Sequence, residues 1–183
     1  MEVKILKEYG YEESVLGFSL SYGTTIERAK EILPKYAFGN QPGERKFLRV
    51  IELWLDVNFP RLIWPEADQH KIATTTLSES TVHTLGKRTL NQNDFIIPID
   101  SRMLDVVNEK ILQFQNKQID ILALKAHLPE GFLQRRIWHM NYANLQNLVQ
   151  QRTNHKVSLW NTFIEEVLSQ IQHPEFIKPP EEA

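Results

Sequence analysis

The sequence predicts an α+β fold, rich in helix, with a small mixed or antiparallel sheet. Three observations carry that expectation. Near the C-terminus, Trp160, Phe163, Ile164, Val167, Leu168 and Ile171 recur at i, i+3, i+4 spacing, the mark of an amphipathic helix. RVIELWLDVNFP alternates instead, with Ile51, Leu53, Leu55 and Val57 on one side and Glu52, Trp54 and Asp56 on the other, and so reads as a strand stopped at Pro60. Along the rest of the chain helical patterns outnumber strand patterns.

In chain order, VKIL is a short strand. TTIERAKEILPKY is a helix capped by Thr24 or Thr25, with Glu27 in its first turn and Pro34 near its end. FGNQPGE is a turn-rich loop. Residues 61–100 show no sustained period. Ser101 to about Lys125 is expected as one helix, with Asp100 or Ser101 as cap, Leu104, Val107, Ile111, Leu112 and Phe114 inward, and a solvated charged face. LPEG ends it. A helix from about Phe132 to Arg152 follows, then TNHK as a turn and the last helix. The length suits one domain over 1–175, with KPPEEA suggesting a flexible tail over 176–183.

Composition narrows the function classes. Lys and Arg total 21 against 23 Asp and Glu, so no broad basic surface is advertised and a nucleic-acid partner is not expected. There are no cysteines, which removes disulfides, zinc–thiolate sites and a cysteine nucleophile together. No apolar run approaches the roughly 20 residues a membrane span needs, and the opening lacks a signal-peptide layout. A cytoplasmic protein without a membrane partner is the expectation.

Two places carry candidate chemistry. QHKIATTTLSES sets His70 and Lys71 before a run of hydroxyls, and without glycine it is no ordinary phosphate loop. In the helix expected over 132–152, at about 100° per residue, Asn141 and Arg152 fall on the side of Trp138, Leu145, Leu148 and Val149. A guanidinium aimed at an apolar face costs several kcal/mol unless an anion meets it. A structural ion pair, a side chain snorkelling to water and a ligand anion all satisfy that requirement. His70 with Glu66 and Asp68 offers too few ligands for a metal site, and Ser78, Ser80, His70 and His83 lack the glycines of a nucleophile elbow. Trp54, Trp64, Trp138 and Trp160 are expected in the core.

At this point the chain resembles the flavin-dependent thymidylate synthase family. LPEGFLQRRIWHMNYANLQNLVQQR carries Pro129, Trp138, Asn141, Leu145, Asn147 and Arg152 at the family's spacings. QHKIATTTLSES stands where the family has Arg-His-Arg, seven residues and a serine; Gln69, His70 and Lys71 replace the triplet, Ile72-Ala73 continues as in many members, and Glu79 takes the serine position unless a one-residue shift brings in Ser78 or Ser80. Ser21 in SLSYG resembles a segment that touches flavin phosphate.

The resemblance implies a homotetramer of the flavin-dependent thymidylate synthase-like fold, with FAD bound where subunits meet. The implied activity is C5 methylation, or a related alkylation, of dUMP or a similar pyrimidine nucleotide. Reduced FAD serves as hydride source, with NADPH and methylene-tetrahydrofolate as co-substrates. Arg152 would polarise the base; Lys125, Gln69, Ser78, Glu79 and Ser80 would meet the nucleotide; His70, Lys71, Ile72, Asn141, Asn147 and Ser21 would hold FAD. The chain departs from the pattern at Gln69, at Lys71, at Thr81-Val82 (or Val82-His83 with the one-residue shift) where the family has Arg-Tyr, and at GERKFLRV, which replaces Gly-His-x-Thr-Pro-x-x-His. Lys46, Arg49, Lys87 and Arg88 are candidate replacement cations. These departures equally suit a homologue that binds a nucleotide or a partner protein without methyl transfer, or one that uses a different nucleotide or one-carbon donor.

Overall fold

The computed structural model describes residues 1–41 and 43–178. Four strands, β1 (Glu2–Tyr9), β2 (Glu52–Pro60), β3 (Thr75–Ser78) and β4 (Leu133–Asn141), form one sheet in the order β1-β2-β4-β3. The helices are α1 (Tyr11–Tyr22), α2 (Ile26–Tyr36), the single turns α3 (Trp64–Ala67) and α4 (Thr81–Thr84), α5 (Ser101–Gln115), α6 (Ile121–Ala126), α7 (Tyr142–Arg152) and α8 (Leu159–Gln170). The fold is thus helix-rich with a small antiparallel sheet, as expected. The β2–β4 pairing shows the antiparallel sense directly: Arg61 donates its backbone N–H to Phe132 while Tyr142 donates to Ile51, so one strand number rises as the other falls. No helix among the described residues is long and apolar enough to cross a membrane.

The chain divides into two compact units. The first holds Met1–Glu2, Val57–Gln69 and Leu77–Ile137; the second holds Val3–Asp56, His70–Thr76 and Trp138–Ala183. In the first, Val107 and Ile111 of α5 and Leu124 of α6 bury against Leu85, Leu90, Phe95, Leu128 and Phe132. Each fully buried side chain of this kind contributes roughly 1.5–3 kcal/mol. In the second, α1 packs on α2, and α7 on α8 and on the 3-10 turn Lys46–Arg49. Gly10 makes the β1–α1 corner possible: its φ is 92°, and a Cβ there would stand 2.2 Å from the Val50 carbonyl oxygen.

Thr25 caps α2, accepting the Arg28 N–H, and Asp100 caps α5, accepting that of Arg102. Three expectations are corrected. The helix expected over 101–125 is two: it stops at Gln115, Lys117 turns left-handed at φ 58°, and Asp120 caps α6. The helix expected over 132–152 is a strand followed by a helix, with Asn141 between them as N-cap of α7. Its first half joins the sheet because its backbone groups find ladder partners on β2, a non-local gain that outweighs the local helix preference of Leu, Gln and Arg. The tail expected from 176 starts with two core residues, Phe176 and Ile177, both 1% exposed; residues 179–183 of that tail lie outside the described residues. A helix not expected from sequence, α1, buries Val15 and Phe18.

Candidate functional site

Helix α7 organises the candidate residues of the second unit. Asn141 starts it: its Oδ1 accepts the Asn144 backbone N–H at 3.0 Å, a cap of about 1 kcal/mol. Arg152 ends it, so the two residues lie at opposite ends of α7, roughly 16 Å apart by helical rise. Asn147 is exposed at mid-helix, with its Oδ1 accepting from Gln151 Nε2 at 3.1 Å. In each asparagine a local donor occupies the carbonyl oxygen, which turns the amide nitrogen toward other acceptors.

Arg152 is 9% exposed. Its Nε donates to His70 Nε2 at 3.3 Å, its Nη1 lies 3.2 Å from His155 Nε2, and its guanidinium carbon sits 4.9 Å from the centre of the Trp160 ring. The indole face attracts the cation by about 0.5–2 kcal/mol. Because arginine only donates, His70 Nε2 must accept and its proton resides on Nδ1. Burial, and then the neighbouring Arg152 charge, push the His70 pKa below its ordinary 6.5, in keeping with that neutral form. His155 Nδ1 also accepts the Val157 N–H at 3.2 Å; a neutral imidazole has one acceptor, so Arg152 and Val157 compete for it.

The segment from His70 to Thr76 is fastened to α7 at two points, through His70 to Arg152 and through the Ile72 carbonyl, which accepts from Asn144 Nδ2. Thr74 Oγ1 closes the turn onto the His70 carbonyl, and Ala73 takes φ 50°. Lys71 is exposed and Ile72 is 83% exposed, so this segment presents a cation and an apolar side chain to solvent. Buried Asn144 Oδ1 has no hydrogen-bond partner among the described residues.

The remaining candidates are placed as follows. Ser21 is exposed on α1, donates to the Gly17 carbonyl at 2.9 Å and lines a cleft of about 170 Å³ with Tyr22 and Lys46. Asn147 lines a different cavity, of about 250 Å³, with Arg45, Arg49 and Gln150. Gln69, Ser78, Glu79, Ser80 and Lys125 belong to the first unit. There Glu79 is held by its backbone, donating to Arg135 O at 2.8 Å and accepting from Gln134 Nε2 at 2.9 Å. Ser80 is N-cap of α4, with no cap bond from its hydroxyl, and Lys125 is half-buried on α6. Among the described residues no three His, Asp or Glu side chains are placed to hold a metal ion.

Trp64, Trp138 and Trp160 are core residues, as expected. Trp54 is half-buried instead, because its strand partner His139 supplies a flat neighbour, with the two rings 4.5 Å apart. His139 Nε2 stands 2.8 Å from Glu52 Oε2, an ion-pair distance although misaligned for a hydrogen bond. Sequence reasoning also missed His155 and Arg45. The signal for His155 was its place three residues beyond Arg152, where a closing turn brings a side chain back over the helix end.

No protein-family model and no curated protein matches the chain. Solved structures do. Two crystal structures of flavin-dependent thymidylate synthase ThyX from Helicobacter pylori, both with FAD and dUMP, align with it at TM-scores of 0.80 and 0.81. Each alignment covers 97% of this chain and 98% of that one, at sequence identities of 14% and 15%. A likeness so complete in extent and so low in identity shows a shared fold, and the chain therefore has the fold of the flavin-dependent thymidylate synthases.

Proposed function

We propose that the chain binds FAD and a pyrimidine nucleotide and catalyses flavin-dependent C5 methylation of dUMP or a close analogue. The observation that carries this is the setting of Arg152. A guanidinium mostly withdrawn from water is aimed by a neutral imidazole from the His70–Lys71 segment and by an indole face, on a fold whose compared members bind FAD and dUMP. Such a group can stabilise charge that develops on a uracil ring, because it donates planar hydrogen bonds and never loses its proton.

The residues present fit a flavin nucleotide. Exposed Lys71 offers a charge for phosphate, Asn141 and Asn147 offer amide donors, and the buried Asn144 Oδ1 is an acceptor awaiting a donor. When bound, reduced FAD supplies the hydride that completes the methyl group, and NADPH restores the reduced flavin. Methylene-tetrahydrofolate is the one-carbon donor in this reading: its carbon bonds to C5, C5 releases its proton, and tetrahydrofolate leaves. Arg152 polarises the base, and His70 keeps the guanidinium in plane.

A second reading has one specific support. Thr81, where the family carries the arginine of Arg-Tyr in the ungapped register, is 6% exposed and carries no charge. On this reading the chain binds a nucleotide without methylating it. Release of tritium from C5-labelled dUMP decides between the two. Release that requires FAD, reductant and folate, and falls at least about a hundredfold in Arg152→Ala, supports methylation. FAD-loaded protein that binds dUMP and releases no tritium supports the second reading.

A further inference from the structure

The cavity beside Asn147 holds two arginines, Arg45 and Arg49, to which the methylation reading above gives no role. Arg45 and Arg49 bracket the 3-10 turn Lys46–Arg49, whose Phe47 and Leu48 are buried and fix its orientation. Both arginines line the cavity, opposite Ala143, Asn147 and Gln150 of α7. The wall behind them is rigid: buried Gln146 donates from Nε2 to the carbonyls of Ala37, at 2.9 Å, and Phe176, at 2.8 Å. Among the described residues no carboxylate lines the cavity. The nearest acid in sequence, Glu44, is turned away, its Oε2 accepting the Gln41 N–H at 3.1 Å. Among the described residues neither guanidinium has a hydrogen bond or an ion pair.

Two guanidinium groups at one concave, acid-free site repel each other unless an anion lies between them, and guanidinium matches planar or tetrahedral oxyanions with paired hydrogen bonds. This holds although the whole chain is slightly acidic, at a formal net charge of −2. The volume of about 250 Å³ falls short of the roughly 300–1,000 Å³ of sites that enclose a whole drug-sized ligand. It suits one terminal group. We propose that Arg45 and Arg49, with the amides of Asn147 and Gln150, bind the oxyanion end of a ligand, a phosphate or a carboxylate. The inference rests on the methylation reading only for the identity of the neighbouring ligand, through the shared Asn147; the anion site stands without it.

The test is calorimetric titration of the full chain, without flavin, using pyrophosphate and citrate as the phosphate and carboxylate probes. Wild type, Arg45→Gln, Arg49→Gln and Arg102→Gln are compared; Arg102 already pairs with Asp100 at 2.7 Å and serves as the control. Saturable binding of either probe, weakened at least about tenfold in both Arg45→Gln and Arg49→Gln and unchanged in Arg102→Gln, is expected. The probe bound more tightly names the group. No saturable binding of either, or equal binding in all four proteins, overturns the proposal. FAD and dUMP titrations on the same samples separate the two readings. Loss of both nucleotides with arginine-dependent pyrophosphate binding intact defeats the methylation reading alone. Nucleotide binding with no arginine-dependent anion binding defeats this one alone.

Discussion

The two units use arginine differently. In the first, Arg61, Arg88, Arg102 and Arg136 each meet a carboxylate, those of Glu130, Asp94, Asp100 and Asp68. In the second, Arg45 and Arg49 face a cavity that no carboxylate among the described residues lines. In the same unit Arg28 pairs with Glu31 at 2.7 Å on the surface of α2. An arginine neutralised by a carboxylate ties segments together. One that faces a concavity, as Arg45 and Arg49 do, keeps its donors for something that arrives.

The largest expected effect lies at Arg152. Arg152→Ala is expected to lower C5 tritium release by at least about a hundredfold, measured at saturating dUMP. Next comes a crossed pair. Arg88→Gln breaks the bidentate bond to Asp94 and is expected to cost about 1–2 kcal/mol in urea unfolding while leaving anion binding unchanged. Arg49→Gln is expected to do the reverse, with stability within about 0.5 kcal/mol and weakened anion binding. Stability loss in Arg49→Gln alone would break the comparison.

The same contrast has a pH signature. Arg88, by its hydrogen bond, holds the Asp94 carboxyl below its ordinary 3.8, so the stability it contributes is present above that value and is lost as pH falls through the lowered one. His70 is also depressed, but as a base, so the unfolded chain takes up its proton first. Its contribution is present above 6.5 and is lost as pH falls below that value toward the folded one. Melting temperature is therefore expected to drop in two separate windows on acidification, with Asp94→Asn removing the lower step and His70→Asn the upper. Smallest of all, Arg28→Gln on the solvent face of α2 is expected to change stability by less than about 0.5 kcal/mol.

How much of this was legible in the sequence follows from where each signal resides. Strand β2 and helices α2 and α8 were readable because one buried face imposes its period on the side chains. LQRRIWHMN was not. Its arginines, glutamine and leucine favour a helix locally, and only pairing with β2, distant in sequence, makes it a strand. Asn141 was the local signal that the helix starts there and not at 132. Helix α1 escaped notice because Val15, Leu16, Phe18 and Leu20 surround the axis and Gly17 interrupts the run; packing against α2, not periodicity, makes it helical. At the site, the resemblance drew attention to Arg152 and His70, and the structure brings them together. The roles of Trp160 and His155 were hidden, since both depend on how the turn after α7 folds back.

The most direct test of the central claim, that Arg152 is set to receive a pyrimidine base beside a flavin, is the visible spectrum of FAD-loaded protein titrated with dUMP, in wild type and Arg152→Ala. The account expects FAD to be retained by both proteins, and a saturable shift of the flavin band on adding dUMP to wild type that Arg152→Ala lacks. A chain that retains no FAD, or the same dUMP-induced shift in both proteins, would contradict it.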